Sequence, residues 1–269
     1  MQRPVWYTEK QTSNGKELYA MAGLWEKLAE VKRYRWVDLT HTLTNESPYW
    51  EGIPQGSVAL GEIAVPFEAM DLEIQTFRFP GQFGTHIDYP AHFVPGGRVL
   101  QDFSVMDTVL PLVVIDATPQ VKENADFELS VSDILAFESE HGKIPEGCFV
   151  ALRTDWGKRW PDGAALSNIG EDGNEHFPGW GFEALQFLFD ERNAAAIGHE
   201  TLDTDAPISS KDVGLKCERY VLQRDRFQVE MLTNLDQVPP TGAVIVVQAA
   251  KVKDANGMPV RAFAIVKDE

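Results

Sequence analysis

Short apolar runs rich in β-branched residues recur along the chain, at Val113 to Ile115, Phe149 to Leu152, Val244 to Val247 and Ala262 to Val266. Runs of this length suit buried strands. Between them the apolar period becomes helical. Residues from about 131 to 140 carry Val131, Ile134, Leu135 and Phe137, with Gly142 just past the end; residues from about 181 to 191 carry Phe182, Leu185, Leu188 and Phe189. A further helical period over residues 17 to 33 carries Leu18, Met21, Leu24 or Trp25, Leu28 and Val31, with charged residues between them. This predicts an amphipathic arm, residues 1 to 35, ahead of one body, residues 36 to 269. The arm is expected to pack on its own domain, with docking on a neighbouring subunit as the alternative. Strands outnumber helices and do not alternate regularly with them, so the pattern predicts a mixed α/β fold rather than a doubly wound sheet. The Gly, Asn and Asp-rich stretches 161 to 174 and 254 to 257 read as loops, and the first is long enough to cover a site.

Composition narrows the function classes. A hydrophobic content of 43% over 269 residues fills a core and is read as one domain. Lys and Arg number 24 against 41 Asp and Glu, a formal charge of -17. Such a surface repels phosphate backbones and anionic bilayers, so a small-molecule substrate is expected and nucleic acid and membrane partners are not. The opening MQRPVWYTEKQ has no apolar signal core, and no run approaches the roughly 20 apolar residues of a membrane helix. A cytoplasmic location is expected. Cys148 and Cys217 form neither a metal motif nor a disulfide framework and are assigned no role.

The richest chemistry lies in QFGTHIDYPAHF, Gln82 to Phe93. His86 and Asp88 are two apart and would share one face of an extended segment; Gln82 lies four before His86, and His92 four after Asp88. Imidazole nitrogen, carboxylate oxygen and amide oxygen together suit a divalent ion such as Zn²⁺ or Mn²⁺, the competing reading being an ordinary hydrogen-bonded His–Asp pair. Gly84 allows close backbone approach or a positive φ, and Pro90 stiffens the exit.

This segment resembles HxGTHxDxPxHF, the signature of the cyclase family of metal-dependent hydrolases, which includes bacterial kynurenine formamidase, isatin hydrolase and manganese-dependent trans-dienelactone hydrolase. Every fixed position matches except the first, where this chain has Gln82. The resemblance extends from about Asp38 to Val266. It implies a β-barrel-like central layer flanked by helices, of the swivelling β/β/α type, in a homodimer or homotetramer. VEMLTNLDQVP resembles the family segment whose glutamate binds metal, which points to Glu230. Twelve residues earlier, where the two-metal kynurenine formamidases have a histidine ligand, stands Glu218. Both departures replace histidine with an oxygen donor and shift the implied site towards Mn²⁺ or another hard ion, with Zn²⁺ still open. Either one ion sits on Gln82, His86 and Asp88 with Glu230 nearby, or a second is bridged by Asp88 and held by Glu218 and Glu230. The single ion is preferred, with Glu218 then protonated or turned away.

IGHETLDTDAP resembles the family segment leading from a buried strand towards the active site, which makes Glu200 and Thr201 candidates for supporting or substrate hydrogen bonds; Asp203 and Asp205 read as turn residues. LRTDWGKRW and SPYWEG resemble pocket segments, so that Trp156 or Trp50 would offer a flat apolar wall to a planar substrate. His41 reads as structural; His141, His176 and His199 carry no ligand pattern, with His176, beside FPGW, the one of interest. The resemblance implies that a bound ion activates water for attack on a carbonyl, with His92 carrying the proton to the leaving group and Glu200 or Glu218 next in line for that role. No Gly-x-Ser-x-Gly elbow offers a covalent route. The expected reaction is opening of a cyclic amide or cleavage of an aryl formamide. Lactone hydrolysis and non-catalytic metal or ligand binding are the alternatives.

Overall fold

All four apolar runs become strands of a single sheet. The structure is a computed structural model and describes residues 19–211 and 213–267. Its strands are β1 (Arg35–Asp38), β2 (Ala59–Val65), β3 (Ile74–Arg78), β4 (His86–Asp88), β5 (Val109–Asp116), β6 (Glu128–Leu129), β7 (Phe149–Arg153), β8 (Gly179–Trp180), β9 (Ala196–His199), β10 (Phe227–Glu230), β11 (Ala243–Ala249) and β12 (Gly257–Val266). The order β12-β11-β5-β7-β9-β10-β4 closes on itself because β4 also pairs with β12, giving a barrel-like ring of seven strands with β1 added to β12. The mixed α/β, barrel-like fold expected from the sequence is the one observed.

Within the ring, β5, β7, β9 and β10 run parallel to one another, and the other pairings are antiparallel. Helices Val131–His141, Phe182–Gln186 and Lys216–Gln223 lie in the connections between these parallel strands. This half of the chain therefore alternates strand and helix, which the apolar pattern did not disclose. The reason is that β9 and β10 interrupt their apolar runs with Gly198, His199, Gln228 and Glu230.

Side-chain alternation divides the core in two. Leu112, Val114, Phe149, Ala151, Phe227 and Val229 fill the ring together with residues of β11 and β12. Their neighbours Val113, Ile115, Val150, Leu152 and Ile197 point outwards and pack beneath Ile134, Phe137, Leu185, Leu188 and Val221 of the helices. The helix predicted at 131 to 140 is Val131–His141, opened by a Ser130 and Asp133 capping box and closed by Gly142 at φ 88°. The one predicted at 181 to 191 is α-helical over Phe182–Gln186 and continues as a π turn over Phe187–Glu191.

The N-terminal helix spans Tyr19–Val31, and the part of the arm before residue 19 lies outside the described residues. Leu24 and Leu28 of this helix are exposed. The β2–β3 hairpin likewise exposes Ile63, Ile74 and Phe77. Among the described residues no helix is long and apolar enough to cross a membrane.

Candidate metal centre

The barrel's two-residue alternation also builds a polar site. Phe227 and Val229 of β10 enter the core, so Gln228 and Glu230 face outwards; Ile87 of β4 enters, so His86 and Asp88 face outwards. The antiparallel register then sets Glu230 opposite His86, and Gln228 opposite Asp88. β9 runs parallel beside β10 and ends in His199. All five polar side chains are buried.

His86 is the pivot. Its Nδ1 lies 2.8 Å from the Gly84 carbonyl, to which it donates, so Nε2 carries the free lone pair. Nε2 lies 3.3 Å from Asp88 Oδ2 and 3.5 Å from Glu230 Oε2, yet no hydrogen bond partners it. Burial disfavours a charged His86, but Asp88, the Gly84 carbonyl and Asp203 together raise its pKa; burial likewise acts against the Asp88 carboxylate, and His86, His92 and Gln82 together hold it below the usual range. A positive charge is therefore favoured at His86, beside Asp88. Gly84 makes the approach possible: its φ is 59°, and a Cβ there would lie 2.2 Å from the Leu43 side chain.

Each carboxylate directs one oxygen to His86 and has the other held from behind. Asp88 Oδ1 accepts from Gln82 Nε2 at 3.0 Å, and Glu230 Oε1 accepts from Gln228 Nε2 at 2.9 Å. His199 Nε2 is 3.5 Å from Glu230 Oε1, and its Nδ1 accepts from the Trp180 indole at 3.3 Å. Burial lowers the His199 pKa to about 3, so it is neutral with its proton on Nε2.

Glu218 reaches the same place from the helix Lys216–Gln223. Asp205 holds that helix by accepting from the backbone N–H groups of Cys217 and Glu218 at 2.9 and 3.0 Å, a cap contributed from outside the helix. Glu218 Oε1 lies 3.1 Å from Gln228 Nε2 and 3.8 Å from His92 Nε2. Burial, then the neighbours Asp203 and Asp88, push Glu218 well above the carboxylate range; burial, then Glu218 and Asp88, do the same to Glu230, and burial raises Asp203 to about 7. Burial lowers the pKa of His92, at the end of the Pro90–His92 turn.

The structure thus gathers Gln82, His86, Asp88, His92, Glu218 and Glu230. Other sequence candidates go elsewhere. Trp156 is 2% exposed, donates its indole N–H to the Leu166 carbonyl and packs with Phe177 and Met231, so it is core rather than a pocket wall. Glu200 Oε2 accepts from the backbone N–H groups of Thr154 and Asp155 at 2.7 and 2.6 Å, which ties it to that turn. Thr201 donates its hydroxyl to the Asp203 carbonyl, and Trp50 is 72% exposed in its loop. His176 bridges Asp126 and Asp172, and His41 stacks on Trp160. Sequence reasoning missed Gln228, His199, Asp203 and Asp205. For Gln228 a signal existed: it stands two before Glu230 in a run alternating with Phe227 and Val229.

The cluster fits a divalent cation. His86, Asp88 and Glu230 each bring one ligand atom to within 4.8 Å of the others, all three residues are buried, and His86 Nε2 lacks any other partner. One imidazole nitrogen and two carboxylates suit Zn²⁺ or Mn²⁺, and a ligating histidine that donates its other N–H to a backbone carbonyl is the expected arrangement.

Comparison with known proteins identifies the family. The cyclase family model, described as "Putative cyclase", matches residues 37–206. The chain belongs to the cyclase family. This cyclase-family chain is 34% identical to the isatin hydrolase of Roseibium aggregatum over 188 residues, 68% of this chain and 71% of that protein. It is 24% identical to a kynurenine formamidase of Bacillus anthracis over 239 residues, 86% of this chain and 98% of the relative. The solved structure of isatin hydrolase A from Labrenzia aggregata bound to benzyl benzoate superposes with a TM-score of 0.81 at 35% identity, covering 93% of this chain and 100% of that one.

Proposed function

We propose that this cyclase-family protein is a metal-dependent hydrolase that opens a cyclic amide or cleaves an aryl formamide at its C–N bond. The observation that carries this reading is the unpartnered, buried Nε2 of His86 facing Asp88 and Glu230, with His92 alongside. The isatin hydrolase relative supports the substrate class. His86, Asp88 and Glu230 would hold Mn²⁺ or Zn²⁺. Such an ion, when bound, lowers the pKa of water towards neutrality and polarises a carbonyl.

The chain's own residues supply the remaining functions. Gly84 fixes the His86 tautomer, while Gln82 and Gln228 orient the two carboxylates. His92 is kept neutral by burial, so its Nε2 takes a proton from the attacking water and returns it to the leaving nitrogen. Glu218 Oε1 faces His92 Nε2 at 3.8 Å.

Assay of the purified protein on isatin, N-formylkynurenine and a dienelactone, before and after chelation and with Mn²⁺ or Zn²⁺ restored, tests the reading. Metal-dependent turnover of isatin or N-formylkynurenine is expected. Turnover of the lactone alone moves the assignment to lactone hydrolysis, and bound metal without any turnover moves it to a binding protein.

A further inference from the structure

Gln228 is 0% exposed, yet its side-chain amide lies among three carboxylates. Nε2 is 2.9 Å from Glu230 Oε1, 3.1 Å from Glu218 Oε1 and 3.5 Å from Asp88 Oδ2. Oε1 accepts from the Thr204 hydroxyl at 2.8 Å. The amide orientation follows from this chemistry, because the carboxylates take N–H donors and the hydroxyl can donate to the carbonyl. Alternation along β10 and the register with β4 place Gln228 opposite Asp88, and the Asp205 cap holds Glu218 over it.

Asp88, Glu218 and Glu230 are the residues that a second cation bridged by Asp88 would need. In this chain their oxygens converge on a nitrogen instead. The 2.9 and 3.1 Å distances to Glu230 and Glu218 are those of an amide donor. An amide has two N–H bonds, which the nearer oxygens of Glu230 and Glu218 take. Glu230 Oε2 and Asp88 Oδ2 remain directed at His86. Glu218 is left beside His92.

We propose that Gln228 is a positioning residue whose amide fills the place of a second cation, so that the protein holds one metal, on His86, Asp88 and Glu230, and Glu218 serves His92. This rests on the reading of the site as that of a metal-dependent hydrolase. Gln228 thereby performs two tasks. It satisfies oxygens that would otherwise face one another unpaired, and it excludes the ion that they would otherwise recruit.

Metal stoichiometry tests the proposal without reference to activity. The full chain, stripped by chelation and dialysed against excess Mn²⁺, should retain one ion per chain by elemental analysis. Its EPR spectrum should be that of an isolated Mn²⁺ ion. Gln228→Ala empties the place, and Gln228→Glu keeps the shape while replacing the N–H donors by a carboxylate; both should rise towards two ions, with the spectrum of a coupled pair. Circular dichroism identifies a variant that has not folded, and the other variant then decides. Two ions in the unaltered protein overturn the proposal and leave the hydrolase reading standing, whereas no ion overturns both. One ion in the unaltered protein and still one in a folded variant shows that the amide is not what excludes the second.

Discussion

Gln82 donates its side-chain amide to Asp88 Oδ1 at 3.0 Å, and it does so across the face of a glycine. Gly257, at the start of β12, pairs with Asp88 in the ring, and a Cβ on it would stand 2.0 Å from Gln82 Nε2. The position where the family signature has histidine is thus filled by an amide that steadies Asp88, in a space that only a residue without a side chain leaves open.

Gly257→Ala should therefore displace Gln82 and mimic Gln82→Ala. Both variants should bind Mn²⁺ about 10- to 100-fold more weakly by calorimetry, the usual cost of losing a partner behind a metal ligand. Unchanged affinity in Gly257→Ala would show that the Gln82 bond to Asp88 does not support metal binding.

Asp88→Ala should abolish bound metal, because it removes one donor of the three and the carboxylate that favours positive charge at His86. Elemental analysis after dialysis decides, and stoichiometric metal in the folded variant would remove this site from consideration.

His92→Asn should keep the metal and lower turnover of a cyclic amide or aryl formamide by roughly 10²- to 10⁴-fold. The loss should be smaller on an activated ester, whose leaving group needs no proton. Loss of metal from the variant would instead make His92 a ligand.

Glu200 links the fold to pH. Burial raises its pKa from 4.5 to about 7 against two backbone N–H donors that favour the charged form. The folded state thus binds this proton more tightly than the unfolded state. The contribution to stability is complete below about 4.5 and is lost as pH rises to about 7, on the order of 3 kcal/mol in all. Glu200→Gln keeps an acceptor for Thr154 and Asp155 but cannot titrate. With both proteins metal-free, the denaturation midpoint of the variant should fall less steeply over that interval than that of the unaltered chain. Parallel slopes would show that Glu200 is not protonated in the folded protein.

The site was legible wherever its residues are close in sequence. Gln82, His86, Asp88 and His92 share one segment, and local spacing was enough to select them. Glu218 and Glu230 needed resemblance, since nothing local separates them from the other acids of a chain with a charge of -17. His199 and Asp203 carry no local pattern and became visible only through their place beside the same cluster, His199 by its burial against Glu230 and Asp203 by its effect on Glu218 and Glu230. Trp156 went the other way: an indole in a promising segment proved to be core, because its N–H found the Leu166 carbonyl.

By itself, the sequence determined which segments bury apolar side chains, the mixed α/β class and a histidine and aspartate fit to bind metal, because each follows from residue type and short-range periodicity. Tertiary structure decided the rest. Closure of β4 onto both β10 and β12 set His86 opposite Glu230, Asp88 opposite Gln228, and Gly257 beneath Gln82. Those pairings join residues 86 and 230, and 88 and 257, and they depend on strand register. A shift of one residue would turn these polar side chains into the barrel core and its apolar residues out, so the register that fills the barrel is also the one that assembles the site.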